Sequence, residues 1–203
     1  MTHARSRLIV AAAGALVLAG CAVPGQDAAA GTAAEYHGTT VTNEQVDATF
    51  AAWAEDSEGR LVSTRDEALT MELLHDDLLA ASAELGYAIY TSDARNLATQ
   101  WFVVLGITET PSDALVHSFE SQFALTVLAY NDGTEQLTAI IESAEADAAV
   151  SPRAGQIDPE AFLAAVANAK AEADQTQLGQ MSFIPFQHVS AFSDAGASWQ
   201  ARG

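Results

Sequence analysis

The chain has 203 residues and a mass of 21.2 kDa, which is enough for one domain with a buried core. Apolar residues make up 49% of the chain and charged residues 17%, a balance that excludes a disordered polyanion. Eight basic residues against 27 acidic ones give a net charge of −19, so phosphate backbones repel the chain and we expect no nucleic-acid partner. The single cysteine excludes an internal disulfide framework and a cysteine-rich zinc site.

Residues 1–20 have the layout of a secretory signal peptide. Arg5 and Arg7 give the start a positive charge, and residues 8–18 form an apolar run. This run is too short to span the bilayer core, which needs about 20 residues. A transmembrane helix is therefore the poorer interpretation of this segment.

A lipid-attachment motif follows the apolar run. Leu18-Ala19-Gly20-Cys21 resembles the lipobox of bacterial lipoproteins, and it holds the chain's single cysteine. The resemblance implies signal cleavage between Gly20 and Cys21 and diacylation of the Cys21 thiol. The alternative is a plain secreted protein whose cysteine lies there by chance. The lipobox predicts a protein anchored by lipid to the extracytoplasmic face of the cell membrane, because two acyl chains suffice for stable anchoring.

Residues 21–34 predict a flexible tether between anchor and body, since they are Ala, Gly, Pro and polar residues without periodicity. Loss of residues 1–20 would also remove two arginines and leave six basic residues against 27 acidic ones. Anionic lipid headgroups repel such a body. We therefore expect the folded part to stand off from the membrane surface.

Residues 35–174 predict a mainly α domain, a helical bundle of about five to six helices. Thr42 with Gln45 and Thr64 with Glu67 form capping boxes at two helix starts. The segment from Thr64 to Gly86 is the longest and most hydrophobic of the predicted helices, so we place it at the centre of the core with Leu74 buried. Four further helices are predicted to start near Ser92, Pro111, residue 134 and Asp158.

Two short extended segments frame these helices, at about residues 36–41 and 149–157. Pro152 and Gly155 exclude a helix in the second segment. We expect the two segments to form a short two-stranded β pairing that joins the ends of the helical set. Residues 175–203 lack a periodic pattern and predict an extended or disordered C-terminal arm.

The chain offers few candidates for metal binding. Glu72 and His75 lie one turn apart on a predicted helix, a spacing that is half of a di-iron carboxylate site. A second Glu-x-x-His is absent, and His117 and Glu120 occur in the reverse order, to which we assign no role. The interpretation we favour is an exposed or capped pair, so we predict no metal site.

We also predict no catalytic and no cofactor-binding residue. The sequence contains no Gly-x-Ser-x-Gly elbow, no His-Glu-x-x-His and no phosphate-binding glycine loop. Aromatic residues recur at helical spacing, which favours a core role; the alternative is that some of them line an apolar groove for an extended peptide. These residues are Phe50, Trp53, Trp101, Phe102, Phe119 and Phe123.

The opening of the body resembles the SurA-type periplasmic chaperone domain. There a short strand with a glycine turn leads into a helix that starts with Val-Thr-x-x-x-Val-Asp. Gly38, Val41, Thr42, Val46 and Asp47 stand at the matching positions.

Two later blocks support the same resemblance. The leucine-rich segment 64–86, followed by residues 87–93, is similar to the family's long second helix and the link behind it. Residues 150–158 look like a Val-x-Pro-Arg strand found in lipoproteins of this group from high-GC Gram-positive bacteria. Together the blocks cover about residues 35–160.

The resemblance implies a chaperone or holdase that binds unfolded or partly folded secreted polypeptides. The family's prolyl-isomerase domain does not fit into the residues after Ile157, so the resemblance implies no isomerase activity. The alternative function is a lipoprotein adaptor or scaffold that binds one folded envelope partner. An enzyme with an unrecognised site is the least favoured reading, since no nucleophile–base or ligand constellation stands out.

Overall fold

The computed structural model of the protein describes residues 31–176 and 189–193. The predicted signal peptide, Cys21 and most of the predicted tether lie outside the described residues. The same holds for residues 177–188 and 194–203 of the predicted arm. Among the described helices, none combines the length and apolar character that a membrane crossing requires.

Helices dominate the described part of the chain, which confirms the prediction of a mainly α fold. Six helices and five short strands occur within residues 31–176 and 189–193. The strands are β1 (Thr32–Tyr36), β2 (Thr39–Thr42), β3 (Ala149–Val150), β4 (Gln156–Ile157) and β5 (Phe192–Ser193). The helices are α1 (Asn43–Asp56), α2 (Arg65–Glu84), α3 (Thr91–Leu105), α4 (Asp113–Tyr130), α5 (Thr134–Asp147) and α6 (Pro159–Thr176).

Both predicted capping boxes are present. At the start of α1, the Gln45 amide donates to Thr42 Oγ1 at 3.1 Å and the Thr42 amide donates to Gln45 Oε1 at 2.8 Å. At the start of α2, the Thr64 amide donates to Glu67 Oε2 at 2.6 Å. These bonds satisfy amide groups that a helix start would otherwise leave without a partner.

Helix α2 lies at the centre of the core, as its apolar pattern predicts. Leu69, Leu74 and Leu78 are fully buried. Helix α4 packs along α2 and also contacts α1 and α3, and it adds the buried side chains of Leu115 and Phe119. The α2–α4 contact therefore organises the bundle.

The two ends of the helical set pair as predicted. The strand that pairs at the first end is β1, residues 32–36, and not the predicted segment at about residues 36–41. Residues 37 and 38 form a tight turn with φ values of 49° and 80°. This turn folds β2 back onto β1 as a hairpin, so β1 is left to pair with β3 through Ala34 and Val150. Residues 32–34, which we assigned to the tether, are part of this sheet.

The second predicted extended segment is likewise divided. Residues 151–155 turn between β3 and β4, and β4 pairs antiparallel with β5 rather than with the first end of the domain. Strand β5 belongs to the predicted C-terminal arm. Residues 189–193 are thus held against the body, with Val189 and Ala191 fully buried.

Candidate functional site

The aromatic residues singled out in the sequence mostly belong to the core. Trp53, Phe102 and Phe119 are buried, and Trp53 stacks on Phe119 with ring centroids 5.2 Å apart. Trp101 and Phe123 are partly buried and pack against the core. Phe50 is 41% exposed. The core interpretation therefore holds for five of the six.

A slot on the body holds the extended residues 189–193, and we call it the tail slot. The Ala191 amide donates to Thr70 Oγ1 of α2 at 2.8 Å, and the Asp158 amide donates to the Ala191 carbonyl at 2.9 Å. The β4–β5 ladder continues the contact through Ile157 and Phe192. The slot thus binds an extended segment by strand addition and by burial of apolar side chains.

Thr70 is well suited to this role. Its hydroxyl proton is donated to the Asp66 carbonyl one turn earlier at 2.8 Å, which leaves an oxygen lone pair for the Ala191 amide. The side chain is fully buried on the apolar face of α2. A threonine on the apolar face of the leucine-rich segment 64–86 is the sequence signal for this role, and our prediction did not use it.

A second site brings together two pairs of side chains that the sequence does not connect with each other, and we call it the histidine–glutamate cluster. Glu72 and His75 project from α2, and His117 and Glu120 project from α4. His75 Nε2 lies 3.7 Å from Glu120 Oε2, and His117 Nε2 lies 3.4 Å from Glu72 Oε2. Each helix carries its pair three residues apart, so each pair lies on one face and the α2–α4 contact brings the faces together.

The cluster is largely withdrawn from solvent. The side chains of Glu72, Glu120 and His75 are only 8%, 11% and 14% exposed, while His117 is 40% exposed. The two imidazole rings lie with centroids 3.8 Å apart. Buried ionisable groups of this kind need partners, because burial of an unpaired charge is costly.

Hydrogen bonds fix the orientation of His75. Ser121 Oγ donates its proton to the Met71 carbonyl at 3.0 Å. His75 Nδ1 lies 2.8 Å from the same oxygen and must therefore be the donor in that bond. In the neutral imidazole this places the lone pair on Nε2, the atom that faces Glu120.

Glu72 is held in the same way on the other side of the cluster. Thr49 of α1 donates its hydroxyl to Glu72 Oε1 at 2.6 Å. The second oxygen, Oε2, faces Nε2 of His117. His117 Nδ1 lies 3.5 Å from Glu120 Oε2, so the ring stands between the two carboxylates.

These contacts shift the pKa values of three groups. The hydrogen bond with Glu72 raises the pKa of His117, against the effect of burial. Burial and the positive charge on His117 lower the pKa of His75. Burial acts to raise the pKa of Glu72, but hydrogen bonds from His117 and Thr49 outweigh it and the pKa is lowered.

The cluster opens into a cavity of about 160 Å³. Glu72, His75 and His117 line it together with Tyr36, Asp76 and Asp77, and in the described part of the chain no Lys or Arg lines it. His75, His117 and Glu120 can each offer one ligand atom, and these atoms lie within 4.8 Å of one another. Chemically, the arrangement can share a proton between imidazole and carboxylate or hold a cation.

Comparison with known proteins returned no match among family models, curated proteins or solved structures. The resemblance to the SurA-type domain therefore stays a prediction that rests on the sequence blocks.

Proposed function

We propose that the protein is a lipid-anchored extracytoplasmic holdase whose tail slot binds extended apolar segments of unfolded secreted polypeptides. The observation that supports the proposal is the way in which residues 189–193 are bound. Two hydrogen bonds reach the backbone of Ala191, and the apolar side chains of Val189 and Phe192 are buried. Backbone recognition of this kind tolerates many sequences, which is what a binder of varied clients requires.

The surface chemistry of the body is compatible with this function. Val62, Tyr90, Val103 and Val104 are 61–75% exposed and offer additional apolar contact area. The strong negative charge keeps such a body soluble. Clients that emerge from the membrane would meet the body at short range, because the proposed anchor at Cys21 holds it there.

In this proposal the chain's own tail occupies the slot until a client displaces it. Release of the tail exposes Thr70 Oγ1, the Asp158 amide and the free edge of β4. An extended client strand can make the same bonds. We therefore expect the tail and the client to compete.

The experiment uses the mature chain from residue 21 with Cys21→Ser, so that it is free of lipid, and measures aggregation of several unrelated unfolded proteins. Ala191→Pro removes the amide that donates to Thr70 and should release the tail. This variant should suppress aggregation at a smaller molar excess than the parent chain. It should also bind a labelled peptide of residues 186–194 more tightly. Ala191→Gly keeps the amide that donates to Thr70, so it is the control and should behave more like the parent than Ala191→Pro does.

The holdase proposal fails if neither the parent nor Ala191→Pro suppresses aggregation of any of the test proteins. If the chain is inert in that assay but retains one folded partner from a membrane extract, the adaptor alternative replaces it.

A further inference from the structure

We propose that His75, His117 and Glu120 form a binding site for one divalent first-row transition-metal ion, with Glu72 and Ser121 as the groups that orient the two histidines. The proposal goes beyond the holdase function and does not depend on it. It rests on the geometry of the histidine–glutamate cluster between α2 and α4.

The separations of the ligand atoms fit a single ion. Two ligands bound tetrahedrally at about 2.1 Å from a zinc ion lie about 3.4 Å apart. Glu120 Oε2 lies 3.7 Å from His75 Nε2 and 3.5 Å from His117 Nδ1. All three ligand atoms lie within 4.8 Å of one another. The two rings lie 3.8 Å apart with an angle of 30° between their planes, so the rings must open relative to each other for both nitrogens to bind one ion.

The hydrogen bonds present the correct atom of each ring. His75 must donate Nδ1–H to Ser121, because the Ser121 hydroxyl proton is engaged with the Met71 carbonyl; Nε2 is then the ligand atom. Glu72 Oε2 faces His117 Nε2 and accepts its proton, which leaves Nδ1 toward Glu120. A carboxylate or hydroxyl that accepts the second ring N–H is the usual support of a metal-bound histidine.

A hydrogen bond from α1 fixes Glu72, the residue that orients His117. Thr49 from α1 donates to the far oxygen of Glu72 at 2.6 Å, so the carboxylate that orients His117 is itself fixed. Three helices thereby contribute to the site. Such a layered arrangement is more than an acidic patch, because each partner restricts the ring or carboxylate beside it.

Charge favours a cation at this place. Glu72 and Glu120 are both nearly buried, and Asp76 lines the adjoining cavity. Within residues 31–176 and 189–193, no Lys or Arg lines that cavity. A divalent ion would neutralise the two buried carboxylates, and the cavity of about 160 Å³ leaves room for water at a remaining coordination position.

The chemical class of the ion follows from the ligand set. Two imidazole nitrogens and one carboxylate oxygen suit Zn²⁺ or Fe²⁺ rather than Mg²⁺ or Ca²⁺, which prefer oxygen ligands. We commit to this class and use Zn²⁺ and Co²⁺ as the probes. Co²⁺ reports the coordination geometry through its visible absorption, which Zn²⁺ lacks.

The test titrates Zn²⁺ into the chelator-treated mature chain, prepared with Cys21→Ser and without a histidine tag, and follows binding by calorimetry. We expect one tight site per chain, and Co²⁺ should give the intense visible bands of a four-coordinate N/O site. His75→Gln and Glu120→Gln should each weaken this site by about 100-fold, and Thr49→Val, which only loosens the orientation of Glu72, by about 10-fold. His37→Gln, a 52%-exposed histidine paired with Asp77, is the matched control and should retain the parent affinity.

Two outcomes would overturn the proposal. One is the absence of saturable Zn²⁺ binding while circular dichroism shows a folded chain. The other is binding that His75→Gln and Glu120→Gln leave unchanged, because this would assign the ion to exposed carboxylates elsewhere. A variant that fails to fold is replaced by Glu120→Asp, which keeps the charge but shortens the reach and should weaken Co²⁺ binding with altered bands. The aggregation assay is independent, so failure of either proposal is separately visible.

Discussion

The Ser121 hydroxyl shows how a single small side chain determines the chemistry of its neighbour. Its one proton is committed to the Met71 carbonyl, and this commitment decides which nitrogen of His75 carries hydrogen. Thr70 works by the same logic at the tail slot, where a bond to Asp66 leaves the oxygen free to accept from Ala191. At this scale both candidate sites depend on where hydroxyl protons go.

Leu74 tests the packing of the core at the level of one residue. It is fully buried on α2, so Leu74→Ala should lower the free energy of unfolding by about 2–5 kcal/mol through lost burial and the cavity left behind. Val104→Ala, at a side chain that is 75% exposed on α3, should change it by less than about 0.5 kcal/mol. Chemical denaturation of the two variants measures both values. Equal losses would show that the phase of α2 is wrong.

Tyr36 tests the electrostatics of the cavity that adjoins the cluster. Burial raises the pKa of Tyr36 to about 12, and the carboxylate of Asp77 acts in the same direction. The folded chain then keeps a proton that the unfolded chain releases, since the ordinary pKa is 10.0. Stability should therefore fall as the pH rises from 10 towards 12, and it should fall less steeply in Tyr36→Phe. Denaturant unfolding across this pH range checks the prediction, and identical slopes would contradict it.

At the scale of elements, the sequence predicts features set by neighbouring residues, such as helix starts. It does not predict which strands pair across a long stretch of sequence. The capping boxes at Thr42 and Thr64 need only partners three residues away, so the starts of α1 and α2 were predictable. The choice of β1 as the partner of β3 depends on the left-handed turn at residues 37–38, which makes a hairpin of a segment that we had treated as one strand. The glycine turn at Gly38 is visible in the sequence, but the positive φ of His37 beside it, which completes the reversal into a hairpin, is not.

The histidine–glutamate cluster illustrates the same limit. Glu72 with His75 was recognised as half of a ligand pattern, and His117 with Glu120 was set aside because its order is reversed. The reversed order does not prevent contact between the two pairs. Glu72 of α2 faces His117 of α4, and His75 of α2 faces Glu120 of α4. Which helices pack face to face is decided by burial of Leu74, Phe119 and their neighbours, and helix periodicity does not reveal that choice.

Gly155 tests how closely β5 is fitted to the body. A Cβ at this position would lie 2.8 Å from the Ser193 carbonyl oxygen, and φ is +84°. Gly38 has a similar φ of +80° but open space around it, which makes Gly38→Ala a matched control for backbone strain alone. Gly155→Ala should be more destabilising than the control, by about 1 kcal/mol or more.

Hydrogen exchange gives the readout specific to the tail slot. The Ala191 amide should exchange faster in Gly155→Ala and unchanged in Gly38→Ala, because only the first substitution pushes β5 away. Equal protection of the Ala191 amide in both variants would contradict this prediction. It would show that the backbone at Ser193 can move away from the new Cβ while β5 stays in the tail slot.

At the scale of the whole molecule, charge and anchoring oppose each other. The chain carries 27 acidic residues against eight basic ones, so the body has no electrostatic affinity for an anionic membrane. Localisation then depends on the proposed acyl chains at Cys21. The lipobox that carries the proposed anchor, residues 18–21, lies outside the described residues.

Cys21→Ala tests the anchor directly in the native host. We expect the variant to keep its leader, to incorporate no fatty acid and to leave the pool of mature lipoprotein, because no other cysteine is present to take its place. Intact mass and metabolic fatty-acid labelling measure both effects. Ala22→Ser, one residue beyond the proposed cleavage point, is the control and should be processed as the parent. Equal labelling of Cys21→Ala would refute lipidation at this position.

Strand β5 has a consequence for the order in which tertiary contacts form during synthesis. Val189 and Ala191 are fully buried, and the Ala191 amide bonds to Thr70, 121 positions earlier in the chain. All of α2 and α4 is translated well before residues 189–193. The helices can therefore pack before the tail slot is filled, and Thr70 must wait for the Ala191 amide that completes its hydrogen bonds.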